Sequence, residues 1–259
     1  MYQTLTYVQE GGVATIGLNR PESLNGFNLD MGKDLSECLT HCSIDKTVKA
    51  ILFKGEGKVF SAGGDVKEMK QASDRPYTAK IATMYLNNII STIWRMPKPI
   101  IAAVHGAVTG ASFAMVLACD VIIAAEGTRF GTAYLAIGLS PDGGTSFFLP
   151  KVMGFHRAKY FAFASEMIDA AAGQQLGFVS KVVKSENLIA EAAKIAGKLA
   201  SGPAWAIGKT KELLNSSFTQ TLESQLESES NELAFAMGTA DFEEGFEAFL
   251  AKRSPKFKG

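Results

Sequence analysis

Two stretches, KAILFKGEGKVFSAGGD at 49–65 and KPIIAAVHGAVTGASFA at 98–114, share one plan. Each runs from a lysine into a short apolar segment of strand type, then through a loop of glycine and alanine, and stops where a helix can start. A loop of that kind leaves the first N–H groups of the helix without intrahelical partners and covers them with little side-chain bulk. Two such loops facing each other would place two N–H donors around one oxygen, an oxyanion hole for a thioester or similar carbonyl. Close packing also selects small residues, so either loop taken alone fits both readings.

Working outward, Thr4 to Glu10 and Val13 to Leu18 alternate around Gly11-Gly12 as a hairpin does. RPESLNGFN reads as a loop, Asn28 as the cap of a helix over 29–42, and 48–55 as a buried strand. Helices are expected from near Asp65 and over 78–94, then a strand at PIIAAV, the small-residue helix, and one strand within DVIIAAEGTRFG at 120–131. Short helices at 143–149 and 156–165 and a strand at FVSKVV, 178–183, complete the alternation, which predicts α/β architecture with parallel pairing. Beyond Pro203 the β signal ends, placing a boundary between 1–202 and a helical 203–259.

The 259 residues carry 26 basic and 26 acidic side chains with 47% hydrophobic residues, the make-up of a soluble globular chain. A net charge of zero without single-sign blocks removes the electrostatic basis for binding nucleic acid or an anionic membrane surface. The apolar run at 99–119 is long enough to span a bilayer. Lys98 and Asp120 at its edges, His105 within it and the change of texture at Gly106 instead make it a buried strand followed by a buried helix. Cys38, Cys42 and Cys119, odd in number and without a C-x-x-C, suggest reduced thiols; with no apolar leader in MYQTLTYVQEGG, a cytoplasmic protein is expected.

Several motifs fail on inspection. GPAWAIGKT at 202–210 has five residues between its glycines where a P-loop needs four, and no G-x-G-x-x-G follows a strand. Three scattered histidines offer no metal site. Ser112 in GASFA resembles a nucleophile elbow lacking its last glycine, which would need His105 or His156 as base and an orienting acid; a small residue for tight helix packing is the preferred reading. Asp142 in IGLSPDGGTSFFLP either caps the helix that follows or, held among Ile137, Leu139, Phe147 and Phe148, has a raised pKa and moves protons.

NRPESLNGFN at 19–28, FSAGGDVKEM at 60–69, KPIIAAVHGAVTGASFAMVLACD at 98–120, FGTAYLAIGLSPDGGTSFFLPKVMG at 130–154 and EGFEAFLAKRSPKF at 244–257 together resemble the enoyl-CoA hydratase/isomerase, or crotonase, family from end to end. The resemblance implies a crotonase-like ββα spiral as the acyl-CoA-binding core, a C-terminal helical trimerisation region, and homotrimers often paired into hexamers. It implies acyl-CoA thioester substrates and no tightly bound cofactor or metal, coenzyme A arriving as part of the substrate. By position it assigns the oxyanion hole to the N–H groups of Gly64 and Ala111. It assigns coenzyme A binding to Ser23, Leu24, Gly26, Ala62, Gly64, Asp65, Val66 and Lys67. A hydratase of the family holds its water between two glutamates, and the matching positions here are Ala114 and Tyr134. The remaining acid, Asp142, lies where isomerase-like members keep a single carboxylate, so the resemblance implies an acyl-CoA isomerase. The alternatives are a hydratase, a dehalogenase- or hydrolase-like enzyme, or a CoA-binding subunit without chemistry.

Overall fold

The computed structural model describes residues 2–258, and two sheets organise them. The larger sheet contains β1 (Leu5–Glu10), β2 (Val13–Leu18), β3 (Ala50–Gly55), β4 (Ile100–Val104), β6 (Val121–Ala125) and β9 (Lys181–Val183) in the order β1-β2-β3-β4-β6-β9. The smaller one joins β5 (Ala107–Thr109), β7 (Arg129–Gly131) and β8 (Ile168–Asp169). Among the described residues only the β1–β2 hairpin and the β7–β8 pair are antiparallel; every other pairing is parallel, as the alternation of strands and helices predicts.

The helices are α1 (Leu29–Ile44), α2 (Val66–Gln71), α3 (Arg75–Arg95), α4 (Ala111–Ala118), α5 (Thr145–Met153), α6 (Phe155–Ala164), α7 (Ala170–Gln175), α8 (Leu188–Ala200), α9 (Ala204–Ser216), α10 (Leu222–Ala236) and α11 (Ala240–Leu250). Asn28 caps α1 as its sequence predicts, its side chain accepting from the Met31 N–H at 2.9 Å.

The central strands β3, β4 and β6 are buried on both faces, which is why they read as unbroken apolar runs. Ile51, Phe53, Ala102 and Val104 enter the main core with Met31, Leu35, Ile89 and Ile93 from α1 and α3. Ala50, Leu52, Ile101 and Ala103 face the other way, onto Leu188, Ala192 and Ala196 of α8.

Two segments differ from the sequence expectation. DVIIAAEGTRFG is not one strand: β6 and β7 belong to different sheets, separated by a turn in which the buried Thr128 hydroxyl donates to Ala125 O at 2.6 Å. PIIAAV does not pass directly into a helix either, because β5 intervenes. The chain turns at Gly106, whose φ is +63° and where a Cβ would meet Lys58 O at 2.5 Å, so only glycine fits. Periodicity carries no signal for three-residue strands, and FVSKVV accordingly shortens to Lys181–Val183.

Strands end at Val183, and the chain from Leu188 to Leu250 is a succession of helices. The first helix after Pro203 is pinned to the core. Lys211 of α9, 8% exposed, donates to Asp120 Oδ2 at 2.8 Å and to Ile93 O at 2.7 Å. By contrast α10 and α11 leave Leu222, Leu226, Leu233, Phe249 and Leu250 more than half exposed. No helix among the described residues is long and apolar enough to cross a membrane.

Candidate active site

The two rhyming loops lie side by side. Ser61 N–H donates to Ala107 O at 3.1 Å, Thr109 N–H to Ser61 O at 3.3 Å, and the Thr109 hydroxyl to Ala62 O at 2.7 Å. The approach is so close that a Cβ on Gly63, whose φ is +93°, would stand 2.7 Å from Thr109 O. Ser112 completes the join. Fully buried, it bridges the carbonyls of Ser61 (2.9 Å) and Thr109 (2.8 Å) and accepts the Thr109 N–H at 3.1 Å. It is a crosslink between loops, not a nucleophile: the His105 ring sits 3.0 Å from Gly57 O, and His156 lies on α6 away from these loops.

This join leaves two donors unused. Gly110 donates its N–H to Gly131 O at 3.1 Å, and α4 then begins at Ala111 without a side-chain cap. Among the described residues neither the Gly64 nor the Ala111 N–H has an acceptor, and both residues line a cavity of about 510 Å³. The rest of its wall is mainly apolar, with Phe27, Val66 and Met69 on one side and Ala79, Ala82 and Leu86 of α3 on another.

The segment 132–142 closes the cavity and brings in Tyr134 and Asp142. The Tyr134 hydroxyl, in a residue 7% exposed, donates to Asp142 Oδ1 at 2.6 Å. Burial pushes the Asp142 carboxyl above the ordinary aspartate value, while this hydrogen bond pulls it down. Tyr134 is held neutral, first by its own burial and then by the neighbouring aspartate charge. The capping alternative for Asp142 is not what forms: α5 starts from Gly144 with no side-chain cap, and Thr145 N–H bonds the Asp142 carbonyl. The apolar surroundings also differ in part. Ile137 and Leu139 line the cavity about half exposed, whereas Phe147 turns outward against Trp94. Ala114 is fully buried in α4 beneath this segment, so close that a Cβ on Gly143 would reach its methyl at 2.9 Å.

Of the residues expected to hold coenzyme A, Ala62 and Val66 line the cavity mouth, and the Ser23–Gly26 loop docks against it through Ala62 N–H donating to Leu24 O at 3.0 Å. Leu24 takes a left-handed backbone (φ +53°) and is half exposed. Lys67 is exposed on α2, outside the cavity lining. Asp65 has other engagements: its carboxylate caps α2 at Glu68 N–H (3.1 Å) and pairs with Arg20 at 3.0 Å, and its own N–H bonds Phe27 O. Arg20, which also donates to Gly26 O, is the clamp between these loops that the sequence reading missed. Its only signal was a basic residue opposite an acid in RPESLNG and SAGGD.

A family model for enoyl-CoA hydratase/isomerase matches residues 8–259, and the chain belongs to that family. It is 37% identical over 252 residues to 1,2-epoxyphenylacetyl-CoA isomerase of Escherichia coli (strain K12), covering 96% of each chain. It is 36% identical to trans-2-decenoyl-[acyl-carrier-protein] isomerase of Streptococcus mutans over 100% of this chain and 99% of the other. Among solved structures, an enoyl-CoA hydratase from Polaromonas sp. JS666 superposes with a TM-score of 0.94 at 32% identity, covering 98% of this chain and 99% of that one. The fold is therefore the crotonase fold, as the resemblance implies. Isomerase and hydratase names both occur among these relatives, so the choice between the two activities rests on the residues of the cavity.

Proposed function

We propose that this enzyme is an acyl-CoA isomerase that shifts a double bond, or rearranges a ring, through a thioester enolate. The observation that carries the reading is the combination of two free N–H groups, Gly64 and Ala111, with a single carboxylate, Asp142, in one apolar cavity. The thioester carbonyl accepts from both N–H groups, and the positive end of α4 points the same way. The Asp142 carboxylate takes a proton from one acyl carbon, the electron pair passes to the carbonyl oxygen as the enolate, and the Asp142 carboxyl then delivers a proton to another carbon. No atom is gained or lost, so one acid suffices. Ala114 and Tyr134 supply no second carboxylate to activate water, which supports isomerisation over hydration.

Asp142→Asn tests the assignment, because Asn keeps an acceptor for Tyr134. Affinity for an inert acyl-CoA should persist while turnover falls by roughly a hundredfold or more. Wild type should exchange an acyl-chain proton with deuterated solvent yet add water to crotonyl-CoA slowly. Brisk hydration, or an active Asp142→Asn, would falsify the isomerase reading.

In the same reading residues 1–202 bind acyl-CoA and 203–259 form the oligomerisation region of a homotrimer or hexamer. The exposed apolar side chains of α10 and α11 support this. Light scattering at micromolar concentration should give three or six times the chain mass of 27.7 kDa; a monomer overturns it.

A further inference from the structure

A second cavity opens at the opposite end of the large sheet. Catalytic loops follow the C-terminal ends of β3 and β5, whereas Lys49 and Lys98 stand just before the starts of β3 and β4. Strands of five or six residues at about 3.3 Å each separate the two ends of the sheet by roughly 17–20 Å. This one has a volume of about 550 Å³, within the usual range for a small-molecule site.

Four lysines line it, Lys46, Lys49, Lys98 and Lys209, against one carboxylate, Glu212. The four ammonium groups are held differently. Lys209 is neutralised by Glu212 at 2.9 Å and Glu232 at 3.1 Å. Lys98 is fixed in place by two neutral acceptors, the carbonyls of Cys42 and Asp45, the latter at 2.7 Å. Burial holds Lys98 below the ordinary lysine value, and the Lys49 ammonium adds to this against the opposing pull of Cys42 and Asp45. Lys46 and Lys49 have no acceptor among the described residues. The Asp45 carboxylate is meanwhile taken by the Thr47 N–H and hydroxyl at 2.8 and 2.6 Å. Positive charge is thus gathered and left uncompensated in a chain whose net charge is zero.

The remaining wall is apolar, made by Val48, Pro97, Ala204 and Trp205, the indole being braced by Phe235 at a centroid distance of 4.8 Å. Ammonium groups beside a braced aromatic ring match a ligand with an anionic group on a flat body. We propose that this cavity binds a nucleoside phosphate, the phosphate among Lys46, Lys49 and Lys98 and the base against Trp205. Nothing in the isomerase reading is needed for this, since no residue is shared with the catalytic cavity.

The test uses the intact enzyme with its catalytic cavity saturated by a non-reactive acyl-CoA thioether. Calorimetric titration with AMP should show one site per chain with a Kd below about 1 mM, and adenosine or inorganic phosphate alone should bind at least about tenfold more weakly. Lys46→Glu with Lys49→Glu should weaken AMP by about tenfold or more while leaving turnover and thioether affinity unchanged. If thioether added beyond one equivalent per chain displaces AMP, the natural ligand is the nucleotide end of coenzyme A; if it does not, the ligand is a free nucleotide, and either result supports the site. The proposal is overturned if AMP binds only while the catalytic cavity is empty, or if the double variant binds AMP as wild type does. It is equally overturned if the double variant changes the oligomer mass while AMP affinity stays the same, which would make these lysines a subunit contact.

Discussion

The catalytic cavity has two walls of different construction. The donor wall, 61–64 against 107–112, is joined by backbone bonds, by the Thr109 hydroxyl and by the threefold bonding of Ser112, and Ser61, Val108 and Ser112 have no exposed surface at all. The acid wall, 132–142, is held more loosely. Ala133 has a left-handed backbone (φ +58°), the buried Thr132 hydroxyl has no partner among the described residues, and Leu135, Ile137 and Leu139 are each about half exposed. A non-glycine residue in the left-handed region and a buried unpaired hydroxyl each cost on the order of 1–3 kcal/mol. The difference matches the chemistry proposed for each wall. Stabilising an enolate requires donors that do not reorganise, whereas proton transfer between two carbons requires an acid that reaches both.

Four substitutions bear on that comparison. The largest effect belongs to the donor wall. Ala111→Pro removes the N–H at the first position of α4, where proline is tolerated, so the helix should form while turnover drops by about a hundredfold or more. Circular dichroism with steady-state rates checks this, and near-normal turnover in a folded protein would reduce both loops to packing devices. Gly64→Pro deletes the other N–H but is less clean, because even a Cβ there would meet the Met69 methyl at 2.5 Å. Next comes Ser112→Ala, which removes three buried hydrogen bonds and leaves only the 3.3 Å bond from Thr109 N–H to Ser61 O at that point of the join; it should lower stability by about 1–3 kcal/mol, read by denaturant unfolding. A loss of activity greater than the loss of stability explains would show that rigidity of the join itself matters. If Ser112→Ala is neutral in both, the donor wall is not held as its hydrogen bonds indicate.

The smallest effect at neutral pH is expected from Tyr134→Phe, and the pH profile reveals it. As a base Asp142 must be ionised, so activity falls on the acid side as the carboxyl protonates, at a pH above the ordinary aspartate value of 3.8 because burial raises it. The Tyr134 hydrogen bond favours the anion; without it the acid limb of kcat/KM should move to higher pH. The raised carboxyl has a second consequence. Between pH 3.8 and its folded pKa the folded state binds more protons than the unfolded one, so this group makes stability fall as pH rises through that window. Asp142→Asn should therefore be no less stable than wild type above it. An acid limb that stays in place in Tyr134→Phe would show that some other group sets the profile.

The rhyme of 49–65 with 98–114 was legible because strand, small-residue loop and helix start are each written in consecutive residues. The same holds for the hairpin at Gly11-Gly12, the Asn28 cap and the helical run after Pro203. Local pattern also marked the two small-residue loops and Asp142, the latter through a proline-aspartate-glycine turn in an apolar setting, whereas the particular donors Gly64 and Ala111 came from the family resemblance. Tertiary structure alone decided what each group bonds. Ser112 looks like a damaged nucleophile in one dimension and proves to be a bridge because Ser61, 51 residues earlier, lies against it. Arg20 finds Asp65 across 45 residues, and Lys211 finds Asp120 across 91. Whether Asp142 caps a helix or meets a tyrosine depends on the path of the chain between Thr132 and Thr145, a segment with no periodicity to read. Hydrogen bonds act over about 3 Å, and sequence separation carries no information about which distant groups come within that reach.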